Sequence, residues 1–230
     1  MKKGKQKITP AKNEGGVSST RQKILEVAGQ VFAEKGFDRA TSKEITELAN
    51  TNAASVNYYF GSLEELYKAV LHEAASRLIT TDSIRSATEE KSDPQTKLYA
   101  FVEVFVQALT SPISSSWVLR VISRELVHPT SVTASFKGKE RVERIFILKS
   151  IVSELMGLPA NHPAVERGCL SIIGPCFMLL ICDRPSLQEM FPNLGFAQKD
   201  ATALVKHLAE YALAGITSIA NDIETKQLKK

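Results

Sequence analysis

Apolar residues recur at helical spacing along this chain, and polar punctuation cuts them into segments. Ile24, Val27, Ala28, Val31 and Phe32 make the first stripe. Ser19, with Gln22 three residues on, reads as a capping box that starts this helix. Gly36 supplies a left-handed stop, and Phe37 can fold back on the last turn. Thr41 and Glu44 form a second box, followed by the short inward stripe Ile45, Leu48, Ala49. Asn50, Thr51 and Asn52 make a tight polar turn, and Asn52 caps a third helix from Ala53 that Val56 and Phe60 hold inward. Gly61 ends it. Ser62 and Glu65 open a fourth helix, carried to about residue 80 by Leu63, Leu66, Tyr67, Val70, Leu71, Ala74 and Leu78.

Beyond it, residues 82–93 read as a linker or a frayed helix end. Asp93 and Pro94 give a strong start to a fifth helix through Leu98, Phe101, Val102, Phe105 and Leu109. A sixth runs from Ser116 to Val127. Residues 131–157 hold a charged helix, broken near Gly138 and ending at Gly157. Residues 163–182 are very apolar, with Pro175 expected to kink the helix. Residues 184–197 read as a loop and 198–220 as a last helix. No stretch alternates as a strand would, so the expected fold is all-α.

Composition narrows the function. Hydrophobic residues at 43% and charged residues at 23% fit a soluble globular protein. The longest apolar run, Ile172 to Cys182, is interrupted by Gly174 and Pro175 and falls short of the roughly 18–20 residues that span a bilayer. The N-terminus is polar and lysine-rich, unlike a secretory signal. A cytoplasmic protein with no membrane partner is the simplest expectation. The net charge is +4, and five lysines against one acid in residues 1–18 account for all of it. This segment reads as a disordered basic tail that could follow a DNA backbone or simply solubilise the chain. Cys169, Cys176 and Cys182 lack metal-ligand spacing and read as buried thiols. The four histidines are scattered, and no nucleophile elbow, phosphate loop or dinucleotide fingerprint occurs. No enzyme, metal or cofactor is expected.

The two short helices separated by three polar residues have helix-turn-helix spacing. On the third helix Ala53, Ala54, Ser55, Asn57 and Tyr58 are expected to face outward, small enough at the start to sink into a major groove. Ser55 and Asn57 can reach base edges; Tyr58 and Tyr59 can donate to phosphates. Thr41, Ser42 and Lys43 are expected at a phosphate, Asn52 at the helix start beside it. Residues 20–71, through ILEVAGQVFAEKGFDRAT, EITELA and VNYYFGS followed by EEL, resemble the DNA-binding domain of the TetR family of bacterial repressors. The resemblance implies a three-helix DNA-binding head (19–64) and a body (65–230) that binds a ligand and dimerises. Two positions depart from the family pattern. Asn57 stands where a tyrosine is common, and Leu63 where a lysine is usual, so the basic tail, or Lys68 one turn on, is the candidate replacement contact. VISRELVHPT at 121–130 is similar to a stretch of the CecR-type subgroup.

Those implications set the expected partners: double-stranded DNA, a second copy of the chain and an unknown small-molecule effector. Phe101, Phe105, Trp117, Arg120, Arg124, Phe146 and Met178 are the candidate effector-pocket residues, although such stripes are more often core. The helices near 163–182 and 198–220, with Gly168, Ala212, Ala214 and Gly215, are the candidate dimer surface. The alternative is a helical small-molecule binder that does not recognise an operator.

Overall fold

A computed structural model of the chain describes residues 14–111, 116–134 and 139–228. Among the described residues every regular element is a helix, and the chain divides into two compact units, Met1–Val70 and Leu71–Lys230. That division falls within the fourth helix, later than the expected 64/65 boundary.

The first unit contains α1 (Glu14–Lys35), α2 (Ser42–Leu48), α3 (Ser55–Phe60) and the start of α4 (Leu63–Leu78). The helix α1 begins five residues before Ser19, which is therefore interior and not a cap; residues 14–18 belong to it and not to the basic tail. Extending a formed helix adds one hydrogen bond per residue fixed, whereas a new start carries the cost of nucleation, so a weak internal cap is overrun. Residues 1–13 of that tail lie outside the described residues. The core of this unit is Ile24, Ala28, Phe32, Ile45, Val56, Leu66 and Tyr67, all buried. The Phe32 and Tyr67 rings meet edge-on with centroids 4.8 Å apart, and Phe37 lies 5.0 Å from Tyr67. Gly36, at φ 78°, folds the chain back as its position after the stripe suggested.

The second unit holds α5 (Thr81–Glu89), α6 (Pro94–Thr110), α7 (Trp117–Val127), the single turn α8 (Ser131–Ala134), α9 (Lys139–Met156), α10 (Pro163–Ile181), α11 (Arg184–Met190) and α12 (Ala201–Leu228), with a 3-10 turn at Gln198–Asp200. The helix α6 packs on α5, α9, α10 and α12. Leu98, Val102, Leu148, Val152, Val165 and Leu187 are among the fully enclosed residues of the shared core.

Two helices replace expected loops. The helix α5 lies where a linker was read: Thr80 and Ser83 cap it reciprocally, and Thr81, Ile84 and Thr88 form its buried face. The Thr88 hydroxyl donates to the Ile84 carbonyl at 2.9 Å, which lets threonine serve as an inward residue. The helix α11 lies where a loop was read. Asp183 accepts the Ser186 amide at 3.0 Å, Pro185 sits in the first turn and Leu187 is buried. The last helix runs eight residues past the expected 220, to Leu228. The expected break near Gly138 lies outside the described residues, and Gly157 closes α9 at φ 63°.

With 19 residues, α10 is long and apolar enough to cross a membrane by length and composition, contrary to the sequence reading. Its Val165, Cys169, Ile172, Cys176 and Leu179 are instead packed in the body core. Burial pushes the Cys169 and Cys176 thiols up to about 11.

Candidate nucleic-acid interface

The turn between α2 and α3 is fixed by its own backbone. Asn50 takes φ 49°, the Asn50 N–H donates to the Glu47 carbonyl at 3.0 Å, and the Thr51 N–H donates to the Thr46 carbonyl at 2.9 Å. This is the paired pattern of a Schellman motif, with asparagine in the left-handed position that glycine usually fills. The Asn52 side-chain oxygen then accepts the Ala54 N–H at 2.9 Å, and the Ser55 N–H donates to the Asn52 carbonyl at 2.9 Å. Asn52 therefore caps one tight turn through Ala53 and Ala54, and α3 proper begins at Ser55, two residues later than expected.

The faces of α3 follow from four-residue spacing. Val56 is fully buried and Phe60 half-buried on the inner side. Ala53 with Asn57, and Ala54 with Tyr58, form two exposed rows; Tyr58 is 76% exposed. Ser55 belongs to the inner side with Tyr59 and is only 9% exposed, so the expectation that it faces outward is corrected. One residue of helix is a rotation of about 100°, enough to carry Ser55 across the boundary that Val56 sets. Tyr59 is half-buried, with its ring edge-on to Tyr58 at 4.8 Å. On α2 the inward arc is Ile45, Thr46 and Ala49; Leu48, read as inward, is 61% exposed.

The flanking polar groups are largely committed. The Thr41 hydroxyl accepts the Glu44 N–H at 3.2 Å. The Glu44 carboxylate pairs with Lys35. Ser42 is half-buried, while Lys43 is exposed with its ammonium 3.9 Å from Glu47. Ser62 caps α4 by accepting the Glu65 N–H at 3.1 Å, and Glu65 itself holds Lys68 at 2.7 Å. Exposed pairs of this kind are worth about 0–1 kcal/mol, so a phosphate can displace the carboxylates. Arg21 was not singled out by the sequence reading. Its guanidinium carbon lies 4.7 Å over the Phe60 ring, beside the end of α3. No spacing rule links residue 21 to residue 60, so only the fold reveals it.

The seven effector candidates occupy several places in the body. Phe101 is core, with its ring 5.0 Å from Phe105. Trp117 is buried under the Arg77 guanidinium at 5.4 Å. Arg120 is exposed and Arg124 half-buried on α7, while Phe146 and Met178 are exposed on α9 and α10. A cleft of about 490 Å³ lies between α11 and the loop before α12, and none of the seven lines it.

The exposed face of α10 carries Leu170, Gly174, Phe177 and Ile181 at spacings of four, three and four, and α12 carries Tyr211, Gly215 and Ile219 at spacings of four. A methyl group added at Gly174 or Gly215 would meet nothing within 4 Å, so packing within the chain does not demand glycine at either position. Two of the four small residues expected at this surface serve the chain's own packing instead. Gly168 is buried, where a Cβ would lie 3.1 Å from Val152, and Ala212 packs on the core.

Residues 24–70 match the family model for bacterial regulatory proteins of the tetR family, and residues 94–216 match the C-terminal domain of the HTH-type transcriptional dual regulator CecR. The HTH-type transcriptional repressor AcnR of Corynebacterium efficiens is 34% identical over 71 residues, which cover 31% of this chain and 38% of AcnR. Among solved structures, the fatty acid degradation regulator FadR from Bacillus halodurans has a TM-score of 0.61 at 21% identity, covering 84% of this chain and 98% of FadR. AibR, solved with isovaleryl coenzyme A and operator DNA, has a TM-score of 0.62 at 17% identity, covering 81% of this chain and 96% of AibR. At these identities the two structures show a shared fold.

Proposed function

Because this chain belongs to the TetR family of bacterial regulatory proteins and carries a CecR-type C-terminal domain, we propose that it is a sequence-specific transcriptional repressor, released from a palindromic operator by a small-molecule effector. The observation that carries the DNA reading is the division of α3. Val56 and Ser55 are buried, while Ala53, Ala54, Asn57 and Tyr58 form one exposed surface. The two alanines allow close approach to a major groove, Asn57 can hydrogen-bond a base edge, and Tyr58 can donate to a phosphate. Tyr59, Thr41, Ser42, Lys43, Asn52 and Lys68 flank this surface in the sequence or the turn and are proposed as backbone contacts. Arg21 joins them.

The apolar rows of α10 and α12 support a homodimer. Charged residues are absent from Leu170, Gly174, Phe177 and Ile181, and the unforced glycines suit close helix approach by a second copy. A two-fold dimer presents two copies of α3, and these would read inverted half-sites roughly 34 Å apart or somewhat more. The effector reading rests on the CecR-type body and on its fold, shared with AibR. An effector shifts DNA binding only by preferring one of two body states.

The test is a gel-shift titration of the full chain against DNA upstream of its own gene, over a range of salt. A sequence-selective, salt-sensitive shift supports the reading. Binding that ignores sequence favours the alternative, a helical small-molecule binder with no operator. The observation on that side is that residues 19–60 carry five basic and five acidic side chains and so no excess positive charge.

A further inference from the structure

The cleft beside α11 is built around one arginine. Arg184 is half-buried, and its Nη2 donates to the Leu109 carbonyl at 2.7 Å at the end of α6. Its guanidinium carbon lies 4.3 Å over the Phe196 ring. Nη1 is buried and has no hydrogen-bond acceptor among the described residues. Taking a guanidinium partly out of water is costly unless other acceptors take the water's place. Burial lowers the arginine's pKa from its usual value, yet arginine stays charged in proteins. The fold thus holds a desolvated positive charge, clamped on two sides, at the wall of an open cleft.

The loop at residues 197–200, which also lines the cleft, is fixed by its own hydrogen bonds. Asp200 accepts the Ala197 N–H at 3.0 Å and returns its own N–H to the Ala197 carbonyl at 2.8 Å. A Cβ at Gly195 would fall 2.3 Å from the Asp200 carboxyl, so a larger residue there would have to displace that carboxyl. Among the described residues that line the cleft, Lys199 joins Arg184 as a cation and Asp200 is the one acid. The cleft therefore carries one positive charge in excess. Pro192, Leu194 and Phe196 add apolar surface, and Gln188 and Asn193 add neutral donors.

We propose that this cleft binds a small organic monocarboxylate, its carboxylate on Arg184 and its short apolar body against Leu194 and Pro192. Arg184 lines the cleft and supplies the positive charge a carboxylate needs, while Nη1 itself is enclosed and Nη2 is held by Leu109. A single excess charge suits a monoanion better than a doubly charged phosphate. The volume of about 490 Å³ is within the usual range for small-molecule sites. The site stands apart from the DNA reading: it can exist whether or not the head recognises an operator.

The test is isothermal titration of the full chain with butyrate and benzoate, with butyramide, benzamide and inorganic phosphate as probes of charge and shape. One carboxylate per chain is expected to saturate, with the amides and phosphate at least tenfold weaker. Arg184→Gln is expected to weaken carboxylate binding at least tenfold, and Lys199→Gln severalfold. Because Arg184 also anchors Leu109, amide chemical shifts of the unaltered protein provide a second reading. Carboxylate-dependent shifts should centre on residues 188–200. Equal affinity for acids and amides, unchanged binding in both variants, or shifts centred elsewhere would overturn the proposal.

Discussion

The Arg21 guanidinium lies over the Phe60 ring at 4.7 Å, which ties the first half of the first helix to the end of the candidate reading helix. This contact places a cation beside the end of α3. Arg21→Ala is predicted to weaken binding to good and poor operators alike, and to reduce the salt slope of log K by about one. Fluorescence anisotropy at four salt concentrations measures both. A change in sequence preference, with the slope intact, would assign Arg21 to base reading instead.

Asn57 and Ser55 separate base contact from packing. Asn57 is exposed and Ser55 buried, although both are small polar residues on one six-residue helix. Asn57→Ala is predicted to relax preference at one position of each half-site, by about 1–3 kcal/mol of discrimination. Ser55→Ala should leave preference unchanged. Binding to a library of single-base operator variants distinguishes them, and altered preference in Ser55→Ala would contradict the assignment.

Much of this head was legible because its signals are local. The Thr41 and Ser62 caps, the Asn52 turn, the Gly36 and Gly61 stops and the apolar stripe of α1 each involve residues a few positions apart. The errors lay where a local signal was weak or where rotation about a helix mattered. Ser19 looks like a cap but sits inside α1. The helix α5 buries only one aliphatic side chain, Ile84, with two threonines, so no apolar stripe announces it. Ser55 and Leu48 each lie near the edge of a buried arc, where one residue decides the face. Arg21 over Phe60 and Arg184 on Leu109 join residues far apart in sequence, and no spacing rule anticipates them.

Asn50 is the test of the turn. Its φ of 49° is tolerated by asparagine and glycine but not by side chains branched at Cβ. Asn50→Gly is predicted to be close to neutral, and Asn50→Val to destabilise the head by about 1–2 kcal/mol. Thermal melts followed by circular dichroism compare the two; equal melting temperatures would show that the turn relaxes freely.

The thiols give a pH prediction. With Cys169 and Cys176 raised to about 11, roughly a thousandth of each is thiolate at pH 8, and both are buried. Iodoacetamide at pH 8 should therefore modify Cys182, which is only half-buried, well before the other two. Labelling of Cys169 and Cys176 should rise with pH toward 11 and on unfolding. Peptide mass spectrometry reads the order, and rapid labelling of Cys176 in the folded protein would contradict it.

The proposed DNA-binding dimer is tested most directly by selection from a random duplex pool with the full chain, followed by measurement of the mass of the selected complex. Two inverted half-sites should be enriched, bound by two chains or a multiple of two, and Asn57→Ala should enrich a looser version of the same repeat. A pool that stays random, or a single unrepeated site bound by one chain, would contradict the account.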